Sequence, residues 1–569
     1  MRVWGIDFAY GLPRGRPDEE LFVLPALRMF GANLDPGLLA YGFPEGYAFL
    51  LHAALRIYAG LLAWRFGEPI NLGCVYAVNP TNLLLVGRAL SALLGTGTLV
   101  PAALVARRLV PARAATQAAL VAALLLGVNY LHGRDSRFAV TDASMTFFLT
   151  WAVWAIVRFA EEHRIVHACL AGVFVGLAIS TKWIALFLLP VLGLALLHSL
   201  WASRKRDVVR SLMVAIASVA FVGLGFLTLS PHVPGQLHET YSGILSHEMR
   251  YDASEVSRFL LDPTVDPGPG LRFHSLVTLP VACGRIGMIA ALVGLIWALW
   301  SGTRAAWVCS AVLAFVFGGA VGPVRLLFVR YCVPIVPVLA ALAAAGVVYL
   351  ADACSRWLGR PALGGPLLVM LVAATAAEPA VRLLRADEIL ARADTRELAA
   401  RWITANTPAE STVGPEIAYT CVYAAYGEDI ATCNALLPPP LRGAVPNLSG
   451  RRGDWASAIA RGRDGWATIA DAALNDYWNT AALASDPDYL TQGIPILSCG
   501  KQSPVRGLDA LGSCWEEVAR FGPGTPSCDA VYDLFDQFYM PYAGFDGVER
   551  PGPETVVYRN RCKRPARTP

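Results

Sequence analysis

The sequence predicts a mainly α protein: a polytopic transmembrane helical bundle followed by a soluble C-terminal α/β domain. Three observations predict it. Apolar residues make up 55% of the 569-residue chain and charged residues only 16%, against about 25% charged in a typical soluble domain. Mean hydropathy is +0.47. The apolar residues gather in runs of spanning length until about residue 380 and then give way to mixed polar sequence. Disorder is excluded, because disordered chains are poor in apolar residues. A net charge of only +4 argues against the concentrated basic face that nucleic-acid binding needs. Lysine is scarce, at Lys182, Lys205, Lys501 and Lys563, so a lysine among apolar residues stands out.

Residues 1–83 read as a first outer loop. Within it, 20–31 and 46–65 have a helical apolar period broken by charge and proline. They are expected to be amphipathic helices lying on the membrane surface. Residues 84–379 form the transmembrane domain. Stretches near 84–106, 114–132, 138–160, 166–181, 183–201, 209–230, 272–300, 305–322, 330–351 and 363–379 are long enough, about ten in all, to cross a hydrocarbon core of ~30 Å. The fourth and fifth are divided at Thr181-Lys182-Trp183, since one continuous helix would overshoot that core.

The basic residues sort by loop. Arg107, Arg108 and Arg113 follow the first stretch, Arg158 and Arg164 the third, and Arg204, Lys205, Arg206 and Arg210 the fifth. Arg304 follows the seventh, and Arg356 and Arg360 the ninth. Every second loop is basic, which marks those loops as cytoplasmic. Residues 1–83 and everything after about 380 are then outside. An outer N-terminal loop without an apolar leader is expected to follow a spanning helix upstream of Met1.

Residues 380–569 are expected to form the soluble domain. Thr395 to Asn406 reads as a helix ending before Thr407-Pro408, and Thr412-Val413 and Glu554 to Tyr558 as short strands. Cys421, Cys433, Cys499, Cys514, Cys528 and Cys562 lie here. An even count in an exoplasmic domain points to disulfides. The six cysteines of the membrane half, Cys74 among them, read as small apolar core residues.

Several outer-side groups can carry chemistry. Asp18 and Glu19 begin a predicted helix within Arg16-Pro17-Asp18-Glu19-Glu20. Acids there offset the helix dipole, whereas a carboxylate facing a cavity is a general base or metal ligand. Asp135 and Asp142 are spaced to share one helix face. Asp142 falls inside a span, where an acid marks function unless it pairs, here with Arg134 or Arg137. Lys182 either snorkels beside Trp183 or holds a phosphate as a point charge. Arg330-Tyr331, before Pro334 and Pro337, is either an interfacial anchor or a contact for a lipid-linked phosphate. His232, His238, Glu239, His247 and Glu248 could bind a divalent metal, with His232 and Glu239 as candidates, although no ligand spacing marks them. There is no Walker loop, no strand-borne GxGxxG and no G-x-S-x-G elbow, which argues against nucleotide hydrolysis.

The order of these pieces resembles the GT-C superfamily of integral membrane glycosyltransferases, in its protein O-mannosyltransferase-like and aminoarabinose-transferase-like branch. Gly11-Leu12-Pro13 with Pro17-Asp18-Glu19 looks like that family's acidic first-loop motif. Gly87-Arg88-Ala89-Leu90-Ser91-Ala92-Leu93-Leu94-Gly95 looks like its second spanning helix. Arg137 to Asp142 resembles its R-x-x-x-x-D element, Gly172 to Lys182 its G-L-A-x-x-T-K segment, and Arg330-Tyr331-x-x-Pro334-x-x-Pro337 its R-Y-x-x-P-x-x-P start.

The resemblance covers roughly residues 5–350. It implies an inverting transfer of a hexose or pentose from a polyprenyl phosphate to an acceptor hydroxyl on a lipid, glycan or protein. The reaction would take place on the outer face of a bacterial inner membrane. Asp18 would be the base, with Glu19 sharing that role or binding metal. Lys182, Arg330 and Arg137 would hold the donor phosphate, and Asp142 and Asp135 would orient a cation or the sugar. A divalent metal is the one cofactor left open. The competing functions are a transporter or flippase for a lipid-linked sugar and an envelope-assembly scaffold. A flippase calls for charges at the bilayer midplane and inverted repeats, whereas here most membrane-embedded ionisable residues sit near helix ends and the sequence shows no repeat.

Overall fold

The computed structural model describes residues 2–9, 16, 18–31, 33–39, 42–202, 208–242, 270–324, 327–408, 411, 413–414, 430–441, 488–494, 514–526, 530–531 and 540–562. It is mainly helical. Among the described residues, eleven α-helices carry the chain to residue 229: α1 Glu20–Arg28, α2 Gly46–Phe66, α3 Leu72–Val78, α4 Thr81–Gly97, α5 Leu99–Leu109, α6 Ala115–Gly127, α7 Tyr130–Asp135, α8 Thr141–Glu162, α9 Ile165–Thr181, α10 Leu188–Ala202 and α11 Val208–Leu229. After Gly270 come Arg285–Trp300, Arg304–Val312, Val336–Trp357 and Gly364–Leu390.

Among the described residues, eight helices are long and apolar enough to cross a membrane, or nine if one bent pair counts as a single span. The eight include α2; of the ten expected stretches, two form shorter apolar helices and one forms the bent pair, each for a local cause. The run at 114–132 stops at Gly127, because Asn129 adopts extended backbone and its side chain caps α7 by accepting from the His132 N–H. The 166–181 run forms the 17-residue α9, ended by extended backbone at Lys182. The 272–300 run bends by 105° between Cys283 and Arg285. Gly284 makes that bend at φ 74°, a conformation that favours glycine.

Among the described residues, the expected basic loops around Arg108, Arg158, Arg304 and Arg356 converge on one end of the bundle, and Arg204, Lys205 and Arg206 lie outside the described residues. Arg108 pairs with Glu161 at 3.3 Å and Arg113 with Asp352 at 3.5 Å. Arg304 donates to the Ala160 and Glu161 carbonyls.

Helix α2 is long enough to span but does not run through the bundle. The Glu45 N–H donates to the Ser230 hydroxyl, and a Cβ on Gly46 would lie 2.4 Å from the Ser180 carbonyl oxygen. Its start therefore lies against the ends of α9 and α11 that are remote from the basic loops. Just beyond its far end, Cys74 in α3 is disulfide-bonded to Cys433 in the C-terminal region. Both ends of α2 thus meet material on the same side.

The C-terminal region holds a four-stranded sheet of β1 Val413–Gly414, β2 Tyr489–Ile494, β3 Trp515–Phe521 and β4 Glu554–Asn560, in the order β1-β2-β4-β3. The β1–β2 pair is parallel and the other pairs are antiparallel. The helix expected at Thr395–Asn406 forms with those limits, capped by Asp394. Its Ala399 and Ile403 pack on Val413, Tyr489 and Val557. A second disulfide joins Cys514 to Cys562. Reading Cys74 as an apolar core residue is corrected, since α3 presents it to Cys433. Cys421, Cys499 and Cys528 lie outside the described residues.

Peptide mapping without reductant is expected to recover Cys74 linked to Cys433. Cys74→Ser should cost about 2–4 kcal/mol of stability, seen as a lowered Tm in detergent.

Candidate active site

The end of the bundle opposite the basic loops gathers four of the expected site residues. Helices α8 and α9 are antiparallel neighbours joined by the turn at His163. Asp142 lies in the first turn of α8 and Lys182 directly after the last turn of α9. Each helix dipole therefore favours the charge placed there. Lys182 Nζ donates to Asp142 Oδ1 at 2.7 Å, so Asp142 pairs with Lys182 and not with Arg134 or Arg137.

Arg330 comes from the short 3-10 segment Val329–Ile335 that leads into the Val336–Trp357 helix. It meets Asp18 Oδ2 at 2.6 Å. The Tyr331 ring lies under the Lys182 ammonium, 5.3 Å from its centroid, and Phe328 lies 4.3 Å from the Arg330 guanidinium.

The two ion pairs act on each other. Burial pushes the Lys182 ammonium below its usual value, Asp142 opposes that shift, and both Arg330 and Asp18 are near enough to contribute. Side-chain exposure is 2% for Asp142, 9% for Arg330, 11% for Lys182 and 25% for Asp18. Asp18 is thus the member most open to an incoming molecule.

Glu19, beside Asp18, is used differently. Its carboxylate accepts from Arg88 Nε at 2.7 Å, from Arg88 Nη2 at 2.6 Å and from the Ala139 N–H at 3.0 Å. Neither Glu19 nor Arg88 is exposed at all. Arg88 also donates to the Ile6 and Phe8 carbonyls. Glu19 anchors the first loop to α4, which leaves Asp18 to face Arg330. The signal that finds Arg88 in the sequence is an arginine inside the apolar 84–106 run.

Arg137 and Asp135 do not join the four. Arg137 pairs with Asp387 at the end of the Gly364–Leu390 helix and donates to the Trp4 carbonyl. Nearby, Arg2 bonds His132 Nδ1 at 2.9 Å. Asp135 pairs with Arg134 at 3.2 Å. The expectation that Asp135 and Asp142 share a helix face is corrected. The helix breaks after Asp135 and restarts at Thr141, so the seven-residue spacing crosses a turn.

His232 meets Glu45 at 3.4 Å, and Glu239 is exposed. Among the described residues no group of three or more His, Cys, Asp or Glu side chains gathers to hold a metal. His247, Glu248 and the Gly11-Leu12-Pro13 motif lie outside the described residues.

Residues 73–232, which include Arg88, Asp142 and Lys182, match the model of the dolichyl-phosphate-mannose-protein mannosyltransferase family. The resemblance read from the motifs is borne out. Over 243 residues the chain is 27% identical to a polyprenol-phosphate-mannose–protein mannosyltransferase of Corynebacterium glutamicum, a match covering 38% of this chain and 43% of that protein. Over 146 residues it is 30% identical to dolichyl-phosphate-mannose–protein mannosyltransferase 1 of Saccharomyces cerevisiae, covering 25% and 17%. The matched part thus spans less than half the length of these relatives. Among solved structures, ArnT from Cupriavidus metallidurans in the apo state aligns with 96% of this chain and 94% of its own, at 14% identity and a TM-score of 0.47.

Glu19→Ala strands the buried Arg88 guanidinium and should cost about 3–5 kcal/mol. Adding Arg88→Met removes the stranded charge and should restore most of that loss, as read by thermal unfolding in detergent.

Proposed function

We propose that this chain is a membrane glycosyltransferase that moves a sugar from a polyprenyl-phosphate donor to an acceptor hydroxyl. The observation that carries this reading is the meeting of Asp18, Asp142, Lys182 and Arg330 at one end of a membrane bundle. The relatives named for polyprenol- and dolichyl-phosphate-mannose support it and favour mannose as the sugar and a protein hydroxyl as the acceptor. The clustering of basic loops at the opposite end supports an exoplasmic site in a plasma membrane.

The chemistry follows from charge. A sugar joined to a polyprenyl phosphate is a phosphodiester with one negative charge. When the sugar leaves, the phosphate keeps the bonding electron pair and gains a second charge. Two cations in a water-poor pocket stabilise that gain more than they stabilise the starting state, and this difference is what accelerates the step. Lys182 and Arg330 fill that role. Asp142 keeps Lys182 charged and aimed.

Asp18 is the base. A donor phosphate that takes Arg330 releases the Asp18 carboxylate from its ion pair. Asp18 then accepts the proton of the acceptor hydroxyl while that oxygen bonds to the anomeric carbon and the carbon–oxygen bond to phosphate breaks. A single displacement inverts the sugar. Glu19 takes no proton in this scheme, because both its oxygens are occupied by Arg88. Arg137 serves the architecture around Asp387.

Purified protein in liposomes, given radiolabelled polyprenyl-phosphate mannose and a Ser/Thr-containing peptide, tests the reading. Asp18→Asn is expected to lower kcat about 100-fold or more while still binding donor. Lys182→Ala and Arg330→Ala should raise the donor KM. Wild-type rates in Asp18→Asn would remove it as the base, and donor translocation without transfer would replace the enzyme with a flippase.

A further inference from the structure

We infer that Tyr542, carried into the bundle by the C-terminal region, is a positioning residue for the Arg330 segment. The inference rests on the reading that Arg330 holds the donor phosphate. Met540, Tyr542 and Val548 come from the far end of the chain, yet they are buried within the main core together with the membrane helices. The Tyr542 ring packs beside Tyr130 of α7 at 5.3 Å, with the Arg134 guanidinium 5.6 Å from its centroid.

The Tyr542 hydroxyl donates to the Thr278 carbonyl at 2.8 Å. Thr278 closes the π-helical turn His274–Thr278, and its side chain hydrogen-bonds His274 Nδ1 at 2.9 Å. This turn lies just before the Gly284 bend and packs against Val329–Ile335. That short segment carries Arg330. One side chain therefore touches α7 and the π-turn, and the π-turn in turn packs against the Arg330 segment.

The hydroxyl has a role that bulk does not explain. A phenylalanine would fill the same space without burying a polar group, and burying one is costly unless it is bonded. The bond goes to a carbonyl in a π-turn, a geometry that is rare and frequently found at functional sites. The C-terminal region thereby braces the turn that packs against the Arg330 segment.

The test uses the full-length protein. Tyr542→Phe keeps the ring and removes the hydroxyl. The donor KM is expected to rise about fivefold, the effect of one ordinary hydrogen bond, with kcat within about twofold of wild type. Hydrogen exchange should become faster in peptides covering 270–283 and 327–335. A role confined to stability would lower Tm without separating KM from kcat. Unchanged exchange at 327–335 would overturn the inference. So would an unchanged donor KM in Tyr542→Phe where Arg330→Ala raises it. If Arg330→Ala leaves the donor KM unchanged, the phosphate reading is what fails, and exchange at 327–335 alone decides whether Tyr542 braces that segment.

Discussion

The candidate site depends on the buried pair between Glu19 and Arg88. Both side chains are wholly shielded from water, and an isolated charge in that setting is prohibitive. The fork of Arg88 satisfies both carboxylate oxygens, its remaining donor reaches two backbone carbonyls, and Glu19 also holds the Ala139 amide. Three stretches distant in sequence are fixed by one interaction: the first loop, α4 and the turn entering α8. Asp18 and Asp142 then reach their partners as the neighbours of anchored residues.

Much of this arrangement was legible in the sequence. The apolar runs identified the bundle, and the sorted arginines identified its two ends. Lys182, Asp142 and Arg330 stand out in the sequence because charges near apolar runs must be paired or used. Which charge pairs with which was not legible, because pairing depends on tertiary proximity. Asp142 chose Lys182 because α8 and α9 run antiparallel. Arg137 went to Asp387, a partner 250 positions away. Apolar length also does not show where the chain turns, as it does at Asn129, Lys182 and Gly284, since hydropathy is blind to backbone direction.

The four charges at the site sum to zero, as two acids against two bases. Compensation of this kind lets charges persist where water is scarce. It also holds the side chains in place before any ligand arrives, so less ordering is left to complete on binding.

The bond between Cys74 and Cys433 has a consequence for biogenesis. Its cysteines are 359 positions apart, and the second emerges from the ribosome only after every span described above has been made. Covalent closure is therefore a late event. It follows integration of the whole bundle and requires both thiols to be on the same side of the membrane. A chain inserted with one helix too many or too few would separate the two sulfurs, so formation of this bond reports correct topology.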